Sequence, residues 1–153
     1  MIYIDMDGVL AVWDTTATPD DTKRKGYFLE REIEESVKDL IDSLISIEVP
    51  VCILSAVWNA EAANEKDSWL NRYFGDNLQR IYVPYGDNKA DYIVGGTGNI
   101  LIDDHTPNLI QWSEKSNKAI KFMNGINGNG GRWKGLKIDK NMTVSEMMQV
   151  ILS

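Results

Sequence analysis

Apolar residues along this chain fall into two patterns that alternate, short unbroken runs and longer stripes spaced by three and four. Ile2-Tyr3-Ile4, Val49 to Leu54, Ile81-Tyr82-Val83, Ile100-Leu101-Ile102 and Ala119 to Met123, the last interrupted by Lys121, have strand length and predict strands, and the unbroken Ile2-Tyr3-Ile4 predicts burial on both faces. Glu30 to Ile47 carries Ile33, Val37, Leu40, Ile41, Leu44 and Ile45 on one side and Glu34, Glu35, Lys38 and Asp42 on the other, which predicts an amphipathic helix. A second helix is expected from Asn59 to Phe74, with Ala60, Ala63, Trp69, Leu70 and Tyr73 apolar and Gly75 just past its end. Thr106 as cap and Pro107 in the first turn start a third, and Thr143 with Glu146 matches a capping box at the start of a fourth. Two stretches show no period, Ala11 to Gly26 and the Gly/Asn-rich Asn124 to Gly131, and both read as loops. Strands alternating with helices predict an α/β domain over residues 1–153, with a mainly parallel five-stranded sheet covered on both faces.

A chain of 153 residues with 43% hydrophobic content is long enough for one full core and needs no second domain. It contains no run able to span a bilayer and no basic segment followed by a cleavable apolar one, so a cytoplasmic protein without membrane association is expected. Cys52, the single cysteine, sits inside an apolar run and reads as a buried structural thiol. The net charge of −7 argues against general nucleic-acid binding, which requires a basic face to displace counterions. The balance is uneven, because Lys115, Lys118, Lys121, Arg132, Lys134, Lys137 and Lys140 form a basic stretch. Such a stretch is either a solvated face or a counterweight to acidic groups around an anionic substrate.

In a parallel sheet, ligands sit beyond the carboxyl ends of the strands, and the polar residues of this chain concentrate there. Asp5 and Asp7 follow the first run, Ser55 ends the second, Lys89 lies beyond the third, and Asp103 and Asp104 end the fourth. Asp5 and Asp7, two apart at a strand end, direct both carboxyl groups to one side, and Gly8 permits a sharp exit. Two carboxylates so close repel unless a cation lies between them, and an oxygen-preferring divalent ion, most simply Mg²⁺, suits them. An isolated D-x-D-G equally caps surface turns. The calcium-loop reading fails on spacing, because an EF-hand requires its glycine at the sixth position and Gly8 is fourth. Gly125 to Gly131 is no P-loop, since the Lys-Ser/Thr pair and the helix start are missing. Delivered to the same edge by the fifth strand, Asn124, Asn127, Asn129 and Trp133 are candidates for a substrate loop that bonds or stacks on a base or sugar.

Taken together, D-M-D-G-V-L at Asp5 to Leu10, Ser55 in I-L-S-A, Lys89 and the acidic pair in L-I-D-D resemble, in order, the four motifs of the haloacid dehalogenase superfamily of phosphotransferases. Gly26-Tyr27-Phe28, W-L-N-R-Y-F at Trp69 to Phe74 and L-I-D-D are similar to one branch, the 5′(3′)-deoxyribonucleotidases. The resemblance implies a three-layer Rossmann-like fold and a Mg²⁺-dependent phosphomonoesterase acting on a small phosphorylated substrate, a nucleoside monophosphate in that branch. It implies Asp5 as the nucleophile that forms an aspartyl-phosphate, and Asp7 as the acid and then base, protonated when substrate binds. Asp5, the backbone carbonyl of Asp7, Asp103 and Asp104 are implied as metal ligands, and Ser55 and Lys89 as holders of the phosphate oxygens.

The chain departs from the branch in its cap, reduced here to an insert of about residues 11–29, so no base-recognising residue carries over. His105 reads as a helix-start or supporting residue. Two further readings stand beside the nucleotidase: a phosphatase of polynucleotide ends or of a sugar phosphate, which a small cap would admit, and a non-catalytic module of the same fold.

Overall fold

The computed structural model describes residues 1–153. Six strands form one sheet: β1 (Ile2–Ile4), β2 (Val51–Val57), β3 (Gln79–Pro84), β4 (Ile100–Asp103), β5 (Lys118–Met123) and β6 (Leu136–Asp139). Their order is β3-β2-β1-β4-β5-β6, and every pairing is parallel. Four helices accompany them: α1 (Glu35–Ser46), α2 (Ala60–Phe74), α3 (Thr106–Ser113) and α4 (Val144–Leu152).

The period of two along β1 decides the layers. Ile2 and Ile4 point into a core built with Val37, Leu40, Ile41 and Leu44 of α1, Trp69 and Leu70 of α2, and Met147 and Ile151 of α4. Tyr3 points the other way, with Cys52, Leu54 and Leu101, against Leu109 and Trp112 of α3. Three helices therefore cover one face and one helix covers the other. Cys52 is buried, and burial raises its thiol pKa to about 11, so it is an inert core group.

The expected sheet gains a sixth strand. Leu136–Asp139 pairs with β5 but buries only Ile138 fully, so its four residues carry almost no apolar signal after the Gly/Asn-rich loop. Helix α1 starts five residues later than the periodicity of Glu30 to Ile47 suggests, because Ile33 bridges Ala11 in an antiparallel contact instead of turning into a helix. The Thr143 and Glu146 capping box forms in both halves. His105 takes the cap position of α3, with Thr106 and Pro107 in its first turn.

The segment after β1 leaves the sheet and returns through a narrow neck. Val12 N–H donates to the Glu32 carbonyl at 2.9 Å, and Glu34 N–H donates to the Leu10 carbonyl at 2.7 Å. Between these strands of the neck lie only short 3₁₀ turns at Asp21–Lys23 and Phe28–Glu30. The insert is tied to α2: Trp69 Nε1 donates to the Arg31 carbonyl at 2.8 Å and Arg72 to the Leu29 carbonyl at 3.2 Å.

Candidate active site

Strand order reverses direction between β1 and β4, and at such a switch point the connecting loops diverge and leave a crevice at the carboxyl ends. Asp5 stands directly after β1 and Asp103 ends β4, so the two lie side by side there. One carboxylate oxygen from each of Asp5, Asp103 and Asp104 falls within 4.8 Å of the others. Lys89, delivered by a 3₁₀ turn after β3, donates to Asp5 Oδ1 and to Asp103 Oδ2, both at 2.7 Å.

Charge is concentrated where water is scarce. Burial, joined by Asp103 and Asp7 and opposed by Lys89, raises the Asp5 carboxyl to about 7. Asp104 is pushed well above the usual carboxylate range by burial and then by Asp103 and Asp5. Burial acts to lower the Lys89 pKa, yet Asp103 and Asp5 more than offset it and hold the ammonium charged.

The acidic pair after β4 divides its work. Asp103 is fully buried and nearly saturated: Oδ1 accepts from the His105 N–H at 2.8 Å, and Oδ2 accepts from Lys89 and from Asn108 Nδ2 at 3.0 Å. Asp104 receives only Asn124 Nδ2, at 3.3 Å. Gly8 is required here twice over, since its φ is +80° and a Cβ on it would lie 2.3 Å from Asp104 Oδ2. Any side chain at position 8 would displace the carboxylate.

A second lysine, not expected from the sequence, completes the arrangement. Lys66 of α2 has no exposed surface, and its ammonium donates to Asp7 Oδ2 at 2.6 Å, Ser55 Oγ at 2.9 Å and the Ala56 carbonyl at 2.8 Å. All three donors are thus used. Because Lys66 occupies an acceptor site of Ser55, the serine hydroxyl hydrogen stays free to donate to a ligand oxygen. The Phe28 ring of the insert lies 4.5 Å from the same ammonium. Its signal was a cation on the buried stripe of α2, where Ala62, Lys66, Trp69 and Leu70 share one face.

The remaining candidates lie on the β5 side. Asn124 Nδ2 also donates to the Gly8 carbonyl at 2.9 Å, which fastens this loop to the turn after β1. Asn127 Nδ2 is taken by the Phe122 carbonyl at 2.8 Å, Asn129 accepts from the Gly131 N–H, and Trp133 packs on the second core cluster with its indole N–H on Leu136. The basic stretch is dispersed by the fold. Lys115 pairs with Asp91, Lys118 binds the last carbonyls of α4, Lys121 is buried against the Thr106 hydroxyl and Lys137 holds the Asn129 carbonyl.

No protein-family model matches this sequence, and no curated protein does. Solved structures do match. A D,D-heptose bisphosphate phosphatase from B. bronchiseptica, complexed with magnesium and phosphate, aligns with a TM-score of 0.69 at 15% identity over 97% of each chain. The fold is haloacid dehalogenase-like. A D,D-heptose 1,7-bisphosphate phosphatase from Burkholderia thailandensis aligns with a TM-score of 0.67 at 12% identity, covering 99% of this chain and 97% of that one. A haloacid dehalogenase-like family hydrolase from Streptococcus pneumoniae gives 0.66 at 13% identity over 98% and 97%. This haloacid dehalogenase-like fold accounts for the six-stranded parallel sheet and for the convergence of strand ends on Asp5. No helix is long and apolar enough to cross a membrane.

Proposed function

We propose that this chain is a Mg²⁺-dependent phosphomonoesterase that forms an aspartyl-phosphate on Asp5, with a nucleoside monophosphate as the small phosphorylated substrate. The observation that carries the reading is the group of buried Asp5 and Asp103 with half-buried Asp104 at the switch point, the first two bridged by Lys89. Their chemistry suits a hard divalent ion, because they offer only carboxylate oxygens and two of them are pushed toward neutrality by burial, reinforced by neighbouring carboxylates whose repulsion a cation relieves. Asp5, the Asp7 backbone carbonyl and Asp104 would hold the ion, while Asp103, its oxygens already engaged, positions Lys89. When bound, the ion supplies charge neutralisation at the phosphoryl oxygens and keeps Asp5 ionised.

In the proposed reaction an Asp5 oxygen attacks phosphorus and the phosphate–oxygen bond to the leaving group breaks. Asp7 gives a proton to the departing alkoxide, then takes one from the water that hydrolyses the acyl-phosphate. The Ser55 hydroxyl and the third Lys89 donor hold the non-bridging oxygens. Lys66 ties Asp7 to Ser55, so acid and phosphate holder keep one geometry. Asn124 holds Asp104, and the loop to Trp133 flanks the site on the β5 side.

A second reading, a sugar phosphate as substrate, is favoured by the names of the two heptose bisphosphate phosphatases. Phosphate release from nucleoside monophosphates, sugar phosphates and phosphorylated oligonucleotides ranks these readings. Turnover is expected with Mg²⁺ and lost in excess chelator; full activity in chelator rejects the metal, and absence of turnover on every ester rejects the enzyme.

Cation binding also has a stability signature. In the cation-free protein the folded state keeps a proton on Asp5 up to about pH 7, whereas the unfolded chain releases it in the ordinary carboxylate range. Stability therefore falls as pH rises through that window and levels off above it. Mg²⁺ replaces the missing proton, so it is expected to raise Tm more at about pH 8 than at about pH 5.5. A hundredfold excess over Kd contributes about 2.7 kcal/mol, or roughly 5–10 °C for a domain of this size. An equal shift at both pH values removes Asp5 from the metal site.

A further inference from the structure

Trp58 and Tyr85 stack on each other in the open, with ring centroids 3.8 Å apart and planes at 27°. Trp58 is 42% exposed and Tyr85 62% exposed, and neither joins a core cluster. The other aromatic pairs, Tyr3 with Trp112, Tyr27 with Phe28 and Trp69 with Tyr73, pack in or against the interior. Burial gives those pairs their purpose; for the exposed pair it gives none.

Its location is fixed by the sheet. Trp58 directly follows β2 and Tyr85 directly follows β3, and the Tyr85 N–H donates to the Val57 carbonyl at 2.9 Å, which extends the β2–β3 ladder to the base of the stack. Both rings thus stand on rigid strand ends at the edge that carries Asp5 and Ser55. Trp58 is three residues beyond Ser55, about 10 Å along a strand, a span that a pentose bridges between a phosphate and a base. Contacts also connect the two places: Lys66 binds Asp7, Phe28 covers Lys66, and Phe28 and Trp58 line one narrow cleft with room for about one water molecule. Asp7 is the acid at the leaving-group oxygen, so the leaving group departs on this side. Lys23 of the insert places its ammonium 4.9 Å from the Trp58 ring centroid, which leaves the outer face of Tyr85 as the open end of the stack.

We infer that Trp58 and Tyr85 form the seat for the nucleobase of the leaving group, the base stacking on the open aromatic face while Asp5 holds the phosphate. This rests on the phosphomonoesterase reading above and adds to it the element that distinguishes a nucleotide from a sugar phosphate. The β2–β3 flank then reads the base, opposite the loop of Asn124 to Trp133.

The test compares thymidine 5′-monophosphate with ribose 5-phosphate. Wild-type protein is expected to favour the nucleotide in kcat/KM by about tenfold or more, the size of one base–aromatic stack. Trp58→Ala and Tyr85→Ala should each lower the nucleotide-to-ribose 5-phosphate ratio of kcat/KM by about the same factor, through KM, with Trp58→Phe restoring most of it. A ratio that stays at the wild-type value in both alanine variants overturns the seat. A second readout is independent of turnover: in Asp5→Asn protein, thymidine monophosphate should quench tryptophan fluorescence, and Trp58→Phe in that background should remove most of the quench. Quenching without hydrolysis of either ester by the wild type keeps the seat and rejects the phosphatase. Hydrolysis of both esters with no quench rejects the seat and keeps the phosphatase, and absence of both signals rejects both.

Discussion

Asp5→Asn is expected to lower kcat on any phosphomonoester by about three orders of magnitude or more while the fold persists. The amide keeps the shape of the carboxylate and removes its nucleophilic oxygen. It also removes a buried charge whose pKa is raised to about 7, and Lys89 keeps Asp103 as its partner, so nothing in the site is orphaned. Circular dichroism and Tm should stay close to wild type, and acid-stable labelling of the protein by a phosphate donor should disappear. Retention of more than about a tenth of the wild-type rate would falsify the covalent route.

Lys66→Met should be costly in two separable ways. The methionine stem fills the space of the lysine, but Asp7, Ser55 and the Ala56 carbonyl lose their common donor. Removing one partner of a buried ion pair costs about 3–5 kcal/mol; the Asp7 side chain is 23% exposed and recruits water, which places this variant at the lower end. A drop in Tm on the order of 10 °C follows. Activity should fall with the leaving group. Turnover of an alkyl phosphate, which depends on proton delivery by Asp7, is expected to drop about a hundredfold, whereas an aryl phosphate with a stable phenolate should lose much less. Equal losses on both esters would show that Lys66 only supports the fold.

The site residues that ended apolar runs were legible in the sequence, because a parallel sheet delivers every strand end to one edge. Asp5, Ser55, Asp103 and Asp104 belong to that class, and Lys89 follows the third run after a short polar loop. Lys66 was hidden because it belongs to a helix, where a lysine is ordinarily a surface residue, and only the position of Ala62, Trp69 and Leu70 around it reveals that its face is buried. Similarly, β6 was invisible because an edge strand buries one side chain in four and reads like the loop before it. The division between Asp103 and Asp104 could not be seen either. It depends on Asn108, His105 and Asn124, whose bonds to the pair exist only after α3 and the loop beyond β5 are placed. The fates of the basic stretch were equally hidden, because the partners of Lys118, Lys121 and Lys137, a helix end, the Thr106 hydroxyl and a loop carbonyl, come together only in the fold.

The neck that closes the insert makes that segment a replaceable module. Val12 and Glu32, and Leu10 and Glu34, are hydrogen-bonded partners, so the chain enters and leaves through adjacent backbones whatever lies between them. Lengthening a loop whose ends are already joined costs only about 0.6 kcal/mol per doubling, so larger lids can be grafted at this point with the sheet left in register. The graft has two obligations, the first being the Arg31 carbonyl that accepts from the buried Trp69 indole N–H. Phe28 is the insert's contact with the Lys66 ammonium, and a transplanted lid that supplies no ring there would admit water to the charge that orders Asp7. Substrate range can thus be re-engineered at residues 13–28 without touching a strand, provided that the aromatic position is rebuilt and the Leu29 and Arg31 carbonyls keep their bonds to α2.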